Sequence, residues 1–257
     1  MNVVIIVQAR TGSTRLPGKV MLPCAGGTVL GRMLERVTAT RTAAQVVVAT
    51  TDLPDDDAIV DVARAAGVPC YRGHPTDLLD RHVRAGRAHR ADIVVKIPSD
   101  CPLIDPHTID RVIGAYLARA GEVDYVSNLH PATWPDGCDV EVVPLAVLET
   151  AWREAQRTTD REHTTPYLWE QPSRFRLHNV RWETGRDHSR RYRMTLDYPE
   201  DYVLIRSVYA ALWSQTRVFP LAEILAFLEK NPKVSTGNAR HLGSTWHRPT
   251  PQTGATP

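Results

Sequence analysis

Lysine, cysteine and long apolar segments are all scarce in this 257-residue chain. Four of its 31 basic residues are lysine, at positions 19, 96, 230 and 233, and the rest are arginine. Its four cysteines lie far apart, at positions 24, 70, 101 and 138, with no Cys-x-x-Cys pair. This spacing argues against a zinc site and favours reduced, buried thiols in a cytoplasmic protein.

No apolar run is long enough for a membrane-spanning helix, because the longest ones match single strands. The net charge is +2, so neither sign dominates and nucleic-acid binding is not indicated. Met1 and Asn2 lead directly into the first predicted strand, and we therefore expect no signal peptide. With 42% apolar and 23% charged residues, the chain has the composition of one globular domain.

Strand-like and helix-like segments alternate through the first half of the chain. Strands are predicted over 3–7, 45–50, 68–71 and 93–97, and helices over 29–37, 55–66, 77–89 and 106–119. This βαβα order, with β-branched strands and short connections, favours a parallel, doubly wound α/β sheet. Such sheets bind ligands at the carboxyl ends of their strands.

The second half is less regular. Strands are predicted over 123–126 and 139–143, an antiparallel pair over 174–180 and 190–196, and helices over 145–156, 162–169, 200–212 and 221–229. From residue 240 onward the chain is rich in proline, threonine and glycine, which predicts a flexible tail over 240–257.

A loop rich in glycine and basic side chains follows the first strand, and it reads Gln-Ala-Arg-Thr-Gly-Ser-Thr-Arg-Leu-Pro-Gly-Lys over residues 8–19. Its glycines permit close backbone approach, and Arg10, Arg15 and Lys19 supply cations for successive phosphates. It is not a Walker A motif, because Val20 stands where a hydroxyl residue is required. The alternative is a surface loop with solvated charges, but its place after the first strand favours a nucleotide.

Three aspartates follow the ends of predicted strands. Asp100 lies between two prolines after the fourth strand, where a rigid carboxylate suits Mg²⁺. Asp105 stands directly before a proline and predicts a helix N-cap. Asp197 precedes the 200–212 helix, and its spacing leaves two roles open, a helix cap and a Mg²⁺ ligand.

Together these segments resemble the cytidylyltransferases of the spore coat polysaccharide biosynthesis protein F type, which are related to the CMP-sialic acid and CMP-ketodeoxyoctonate synthetases. The resemblance covers residues 3–230 and rests on motifs at 9–19, 100–105 and 195–201, with further blocks at 135–142 and 161–167. It implies a Rossmann-like, GT-A-like nucleotidyltransferase fold, a three-layer sandwich around a mixed, mostly parallel sheet. A single domain over 1–235 is expected.

The resemblance also implies a reaction, in which CMP passes from CTP to a sugar, sugar acid, polyol phosphate or phosphonate and pyrophosphate is released. Mg²⁺ is the implied cofactor, held by Asp100 and Asp197. The implied catalytic residues are Arg10, Arg15, Lys19 and Asp100. The implied nucleotide-binding residues are Ala9, Arg10, Thr11, Gly12, Ser13, Arg15, Lys19, Pro98, Ser99 and Asp100.

Acceptor recognition and dimerisation are expected within residues 128–196. The candidate acceptor-binding residues are Asn128, Trp134, Asp136, Asp139, Glu141, Arg161, Glu162 and His163. Each of them also has an ordinary structural alternative, as an exposed or capping polar side chain. The resemblance implies a homodimer, with a small-molecule acceptor and neither a nucleic acid nor a membrane as partner.

Two other functions compete with this one. A GT-A-like glycosyltransferase would present an Asp-x-Asp metal motif at a strand end, whereas the acidic cluster at 55–57 is typical of a helix start. A non-catalytic nucleotide-binding subunit would keep the fold and lose the metal site. The presence of both Asp100 and Asp197 argues against that alternative.

Overall fold

The computed structural model describes residues 1–42 and 44–244, and its main feature is a seven-stranded sheet. The strands are β1 (Val3–Gln8), β2 (Pro23–Cys24), β3 (Gly27–Thr28), β4 (Ala44–Thr51), β5 (Cys70–Gly73), β6 (Ile93–Pro98), β7 (Tyr125–Ser127), β8 (Glu141–Pro144) and β9 (Leu177–Asn179). The helices are α1 (Val29–Val37), α2 (Asp57–Ala65), α3 (Leu78–Ala88), α4 (Pro106–Leu117), α5 (Leu145–Glu154), α6 (Thr158–His163), α7 (Pro166–Trp169), α8 (Pro199–Leu212), α9 (Leu221–Lys230) and α10 (Pro232–Ser235).

The strand order is β5-β4-β1-β6-β8-β7-β9, while β2 and β3 pair separately. Within the seven-stranded sheet, β8 runs antiparallel to both of its neighbours and the other pairings are parallel, whereas the separate β2–β3 pair is antiparallel. The predicted mixed, mostly parallel sheet is therefore confirmed. Strand β1 lies centrally and is buried on both faces, which explains its unbroken run of β-branched residues.

Helices cover both faces of the sheet and complete the expected three layers. Helices α1, α2, α4, α8 and α9 pack on the face that carries Ile5 and Val7 of β1. Helices α3, α5 and α7 pack on the face that carries Val4 and Ile6. Because successive side chains of a strand point to opposite faces, β1 contributes to two separate hydrophobic cores.

The predicted antiparallel pair over 174–180 and 190–196 is wrong. Residues 177–179 form β9, which runs parallel to β7, whereas residues 190–196 form no strand. Their amides bond to loops instead: Met194 donates to the Asp136 carbonyl at 2.7 Å, and Leu196 donates to the Asp100 carbonyl at 2.7 Å. The segment is buried continuously over residues 192–197, because it packs between two loops.

Two further predictions are corrected by the structure. The helix predicted over 162–169 is divided into α6 and α7 at Thr164, which adopts a φ of +77°. The predicted tail begins with residues that pack on the domain, since the His241 ring stacks on Tyr198 at 3.7 Å. Residues 245–257 of that tail lie outside the described residues. Among the described helices, none combines the length and apolar character needed to cross a bilayer.

Candidate active site

A cavity of about 420 Å³ lies at the carboxyl ends of β1 and β6. These strands are parallel neighbours with Gln8 opposite Pro98, so the loops that follow them begin side by side. The Ser99 amide joins the two by donating to the Gln8 carbonyl at 3.1 Å. The predicted nucleotide-binding residues that line the cavity are Ala9, Arg10, Gly12, Ser13, Arg15, Lys19, Pro98, Ser99 and Asp100.

Thr11 is the one predicted nucleotide-binding residue that does not line the cavity, and it anchors the loop instead. Its amide and hydroxyl both donate to Asp56 Oδ1 at 2.7 Å, while Thr51 donates to the other carboxylate oxygen. Burial alone would raise the pKa of Asp56, but these hydrogen bonds lower it. The acidic cluster at 55–57 thus holds the first loop as well as beginning a helix.

The turn that delivers Lys19 depends on a left-handed glycine. Gly18 has a φ of +66°, and its amide donates to the Thr11 carbonyl at 3.0 Å. A residue without a side chain adopts this conformation at little cost. The short 3₁₀ helix over Lys19–Met21 then starts, and the Lys19 side chain reaches across the cavity.

Lys19 joins the two aspartates that the sequence selected. Its Nζ lies 3.0 Å from Asp197 Oδ1 and 3.6 Å from Asp100 Oδ2, and it donates to the Leu196 carbonyl at 2.7 Å. The backbone brings the two carboxylates together, because both the Leu196 amide and the Thr195 hydroxyl donate to the Asp100 carbonyl. The three sequence motifs therefore meet at one point.

Asp197 is surrounded by positive charge. Arg15 Nη2 lies 2.7 Å from its Oδ1, and the buried Arg193 donates to its Oδ2 at 3.1 Å. Burial would raise the pKa of Asp197, but Lys19, Arg15 and Arg193 together lower it. The helix-cap alternative is excluded for this side chain, since Asp201 accepts the amides of Asp197 and Tyr198 at the start of α8.

Asp105 has the capping role that the sequence predicts. Its Oδ1 accepts the His107 amide at 2.7 Å at the start of α4, and its other oxygen accepts the Leu221 amide at the start of α9. One buried carboxylate thus stabilises the first turns of two helices. Asp105 does not line the cavity, so Asp100 is the carboxylate of the 100–105 motif that does.

The two strand-end carboxylates fit a divalent cation. Asp100 and Asp197 converge on one cationic atom, Lys19 Nζ, from separate chain segments. In the described ranges, 1–42 and 44–244, no group of three or more His, Cys, Asp or Glu side chains forms a metal site. A Mg²⁺ ion here would take its other ligands from phosphate oxygens and water, as Mg²⁺ at nucleotide sites does.

The predicted acceptor-binding residues fall into two groups. Those that line the cavity are Asp136, Asp139, Glu141, Glu162 and His163. Asn128, Trp134 and Arg161 do not line it, and each of them has structural partners. Asn128 bonds to Cys138 and Val140 backbone atoms, and Trp134 Nε1 donates to the Val180 carbonyl at 2.8 Å. Arg161 joins α6 to Asp77, the N-cap of α3.

A buried ion pair forms part of the cavity floor. Lys96 donates to Glu141 Oε1, and the other oxygen of Glu141 accepts the hydroxyls of Tyr125 and Thr165. Burial opposes ionisation, but Lys96 and these hydrogen bonds lower the pKa of Glu141 to about 2. The fully paired carboxylate is therefore a fixed negative charge beside a fixed positive one.

Close backbone contact holds the Asp136 side of the cavity in place. The Asp136 amide donates to the Tyr192 carbonyl at 3.1 Å, and Arg193 contacts the Asp136 carboxylate at 3.3 Å. Gly137 has a φ of +102°, and a Cβ atom there would lie 2.6 Å from the Met194 carbonyl carbon. Glycine is therefore required where this segment crosses the residues before Asp197.

Several cavity residues belong to none of the predicted sets. They are Gln8, Thr14, Thr76, Leu78, Arg81, Lys96, Leu129, Thr195 and Ser244. The sequence distinguishes Lys96, because it is a single lysine within an otherwise apolar strand. Arg81 carried no such signal, because its helix is rich in arginine and the sequence does not show which of them faces the cavity.

An open α/β sheet whose strand-end loops bring arginine and lysine against paired carboxylates in one cavity defines a nucleotidyltransferase. The chain belongs to the cytidylyltransferase family, whose model matches residues 4–229. The family that the motifs predicted is thereby confirmed.

Known proteins resemble the chain over most of its length. It is 29% identical over 240 residues to the spore coat polysaccharide biosynthesis protein SpsF of Bacillus subtilis, covering 91% of this chain and 97% of that protein. A cytidylyltransferase structure from Leptospira borgpetersenii superposes with a TM-score of 0.86 at 35% identity, over 91% and 97% of the two chains. A CMP:2-keto-3-deoxy-manno-octonic acid synthetase complexed with CTP shares the fold, with a TM-score of 0.61 at 18% identity over 82% and 99%.

Proposed function

We propose that this protein is a Mg²⁺-dependent cytidylyltransferase that transfers CMP from CTP to a small-molecule acceptor. The observation that carries the proposal is the convergence of Arg15 and Lys19 with Asp100 and Asp197, in a cavity that Arg10 also lines. The cations of this cluster suit the β- and γ-phosphates, and its carboxylates suit a metal at the α-phosphate.

The reaction balances as an in-line displacement at the α-phosphorus. An acceptor oxygen forms a bond to that phosphorus, the bond to the β-phosphate oxygen breaks, and pyrophosphate leaves. Arg10, Arg15 and Lys19 neutralise the charge that develops on the leaving group, which is the main contribution a protein makes to such a transfer. A phosphate or phosphonate acceptor is already ionised and needs no general base.

Asp100 and Asp197 are the residues that would hold Mg²⁺. When bound, the ion supplies charge neutralisation at the phosphate oxygens. The Asp197 carboxylate is ionised for this role over the physiological range, because its pKa lies below the usual value. Lys19 and Arg15 keep it oriented toward the cavity.

The acceptor is best accommodated beside Asp136, Asp139, Glu162 and His163, which line the cavity together with the already paired Glu141. Carboxylate side chains accept hydrogen bonds from the hydroxyls of a sugar or polyol. We therefore favour a hydroxyl-rich acceptor, in the range of a sugar, sugar acid, polyol phosphate or phosphonate. The name of SpsF places that relative in polysaccharide biosynthesis, and a polysaccharide precursor fits this acceptor class.

The glycosyltransferase alternative finds little support at the acidic cluster. Asp56 accepts from Thr11 and Thr51, and Asp57 pairs with Arg72 at 2.6 Å, so neither faces the cavity as a metal ligand. A non-catalytic subunit would have no need for two carboxylates that converge on the phosphate-side lysine. Both alternatives remain outcomes of the experiment below.

Pyrophosphate release tests the proposal. The purified chain is incubated with Mg²⁺, each of four ribonucleoside triphosphates and a panel of sugar phosphates, sugar acids, polyol phosphates and phosphonates. We expect release with CTP and one acceptor class, and its loss with EDTA. Asp100→Asn should reduce the rate of pyrophosphate release about 100-fold or more. Asp61→Asn, at an exposed position of α2, is the control and should leave that rate unchanged. Release with no combination, or full activity in Asp100→Asn, would contradict the proposal.

We further propose a homodimer that uses part of residues 128–170, and a cytoplasmic location, where the four unpaired cysteines would stay reduced. Light scattering combined with size-exclusion chromatography measures the dimer directly. A monomer at micromolar concentration would refute it.

A further inference from the structure

A short segment near the end of the described chain packs against the active site. The 238–244 segment follows α10 and lies outside the range 4–229 that the family model matches. Ser244 lines the cavity at one end of the segment, and Asn238 is buried at the other. The segment therefore borders the site without belonging to any of the motifs that define it.

Asn238 fastens together two parts of the chain on either side of Asp197. Its amide nitrogen donates to the Arg193 carbonyl at 2.9 Å and to Asp201 Oδ1 at 2.8 Å. Asn238 is 1% exposed, so solvent does not compete for these hydrogen bonds. Asp197 lies midway between the two residues that Asn238 joins. The amide group of Asn238 therefore closes the 193–201 stretch, with the proposed metal ligand at its centre.

The two residues that Asn238 joins are also the ones that orient Asp197. Asp201 Oδ2 accepts the Asp197 amide at 2.9 Å, which places the backbone. Arg193 Nη2 donates to Asp197 Oδ2 at 3.1 Å, which places the carboxylate, and Arg193 Nε donates to Asp201 Oδ1 at 2.9 Å. Arg193 and Asp201 are both completely buried. The position of the Asp197 carboxylate therefore depends on Asn238 through two buried, charged side chains.

His241 supports the same site through a second contact. Its ring stacks on the Tyr198 ring, with 3.7 Å between the centroids and 4° between the planes. Tyr198 directly follows Asp197 in the chain. The Arg15 guanidinium lies 5.1 Å from the centre of the Tyr198 ring, while Arg15 Nη2 contacts Asp197 Oδ1 at 2.7 Å. His241 thus packs behind both Asp197 and the cation beside it.

We propose that the 238–244 segment is the positioning element of the metal end of the active site, in which Asn238 orients Asp197 through Arg193 and Asp201. This inference rests on the proposed function, in which Asp197 holds Mg²⁺. Asn238 does not line the cavity, so it is a positioning residue rather than a catalytic one. Residues that orient a metal ligand change metal affinity or activity about 10–100-fold when they are replaced.

The effect of Mg²⁺ on CTP affinity tests the proposal without relying on turnover. Isothermal titration calorimetry measures the dissociation constant of CTP for the full chain, once with saturating Mg²⁺ and once with EDTA. In the unaltered protein, Mg²⁺ should tighten CTP binding about tenfold or more. In Asn238→Leu this effect should fall below about threefold, because the Asp197 carboxylate is no longer held in place. An Mg²⁺ effect in Asn238→Leu as large as in the unaltered protein would overturn the proposal.

Asn231→Leu is the matched control. Asn231 Nδ2 donates to the Phe227 carbonyl of α9 at 2.8 Å, so this variant also loses an amide donor near the end of the chain. Both variants should melt about 2–6 °C lower than the unaltered protein, because each leaves a backbone carbonyl unpaired. Only Asn238→Leu should lose the Mg²⁺ effect. Lower melting temperatures with the Mg²⁺ effect intact in both variants would show a purely structural asparagine and would contradict the proposal.

His241→Leu decides the question if Asn238→Leu does not fold. This variant keeps the buried Arg193–Asp201 contact and removes the ring that stacks on Tyr198. It should reduce the Mg²⁺ effect on CTP affinity about threefold or more, and an undiminished effect would refute the proposal. An unaltered chain whose CTP affinity does not respond to Mg²⁺ would instead refute the metal site of the proposed function, so the two failures are distinguishable.

Discussion

The Lys19 ammonium donates to the Asp197 carboxylate at 3.0 Å across 178 residues of sequence. This contact joins the loop after β1 to the segment before α8, and Asp100 after β6 completes the cluster at 3.6 Å. Because the two residues come from opposite ends of the fold, the active site forms only when the whole domain has folded.

Replacing Lys19 tests the role of this cluster. Lys19→Met should lower kcat by about 10²–10³, because one donor that neutralises the leaving pyrophosphate is lost. The measurement is steady-state pyrophosphate release with CTP. Lys230→Met, at the exposed end of α9, is the control and should leave kcat unchanged. A Lys19→Met enzyme with normal kcat would remove Lys19 from the catalytic set.

Asp56 should act on the nucleotide through the loop that it anchors. Asp56→Asn weakens the acceptor for the Thr11 amide and hydroxyl without touching the cavity. We expect a rise of about tenfold in the KM for CTP with a smaller change in kcat, because the loop is misplaced while its cations remain. A tenfold fall in kcat with an unchanged KM for CTP would contradict a positioning role for Asp56.

The Lys96–Glu141 pair should give stability a defined pH dependence. Glu141→Gln leaves Lys96 buried without its counter-charge, and should cost about 3–5 kcal/mol of unfolding free energy near pH 7. The folded pKa of Glu141, about 2, lies below its ordinary value of 4.5. The carboxylate therefore stabilises the fold fully above the ordinary value, and this contribution is lost as the pH falls toward 2.

Urea unfolding of the unaltered protein and of Glu141→Gln, between pH 7 and pH 3, measures how the stabilisation by Glu141 depends on pH. The difference in unfolding free energy should be constant above about pH 5.5 and should narrow as the pH falls below 4.5. A difference that widens in acid would show that the sign of the pKa shift is wrong. The Lys96→Met, Glu141→Met double variant should lose less stability than Glu141→Gln, since no charge is left unpaired.

Replacing Gly137 tests the close contact between this residue and the Met194 backbone. Gly137→Ala would place a Cβ atom 2.6 Å from the Met194 backbone and would strain a φ of +102°. We expect a loss of about 2 kcal/mol or more in stability, with reduced activity because the segment before Asp197 is displaced. Gly114→Ala in α4 has open space around its Cβ and should be neutral or stabilising by about 0.5–1 kcal/mol. Equal behaviour of the two variants would disprove the packing argument.

Much of the site could be predicted because the motifs follow strand ends. Strands β1 and β6 are strongly apolar and parallel, so their loops had to meet, and Arg10, Lys19 and Asp100 were found in one cavity. Asp105 was identified as a cap from a local signal, the proline that follows it.

The errors have a common physical origin in long-range contacts. Apolar and polar residues alternate over 190–196 as they do in a strand. The Met194 and Leu196 amides nevertheless donate to the carbonyls of Asp136 and Asp100, which lie in loops. Trp134 has the chemistry of a sugar-stacking residue, yet its Nε1 bonds to the Val180 carbonyl and its side chain is buried.

The fate of the phosphates of CTP tests the central claim most directly. Separate reactions with α-³²P and γ-³²P CTP, Mg²⁺ and the acceptor identified by the panel are resolved by chromatography. The proposed function predicts that the α label joins the acceptor and that the γ label leaves entirely as pyrophosphate. Recovery of the γ label on the acceptor, or of the α label solely in free CMP, would contradict cytidylyl transfer at the cavity formed by Lys19, Asp100 and Asp197.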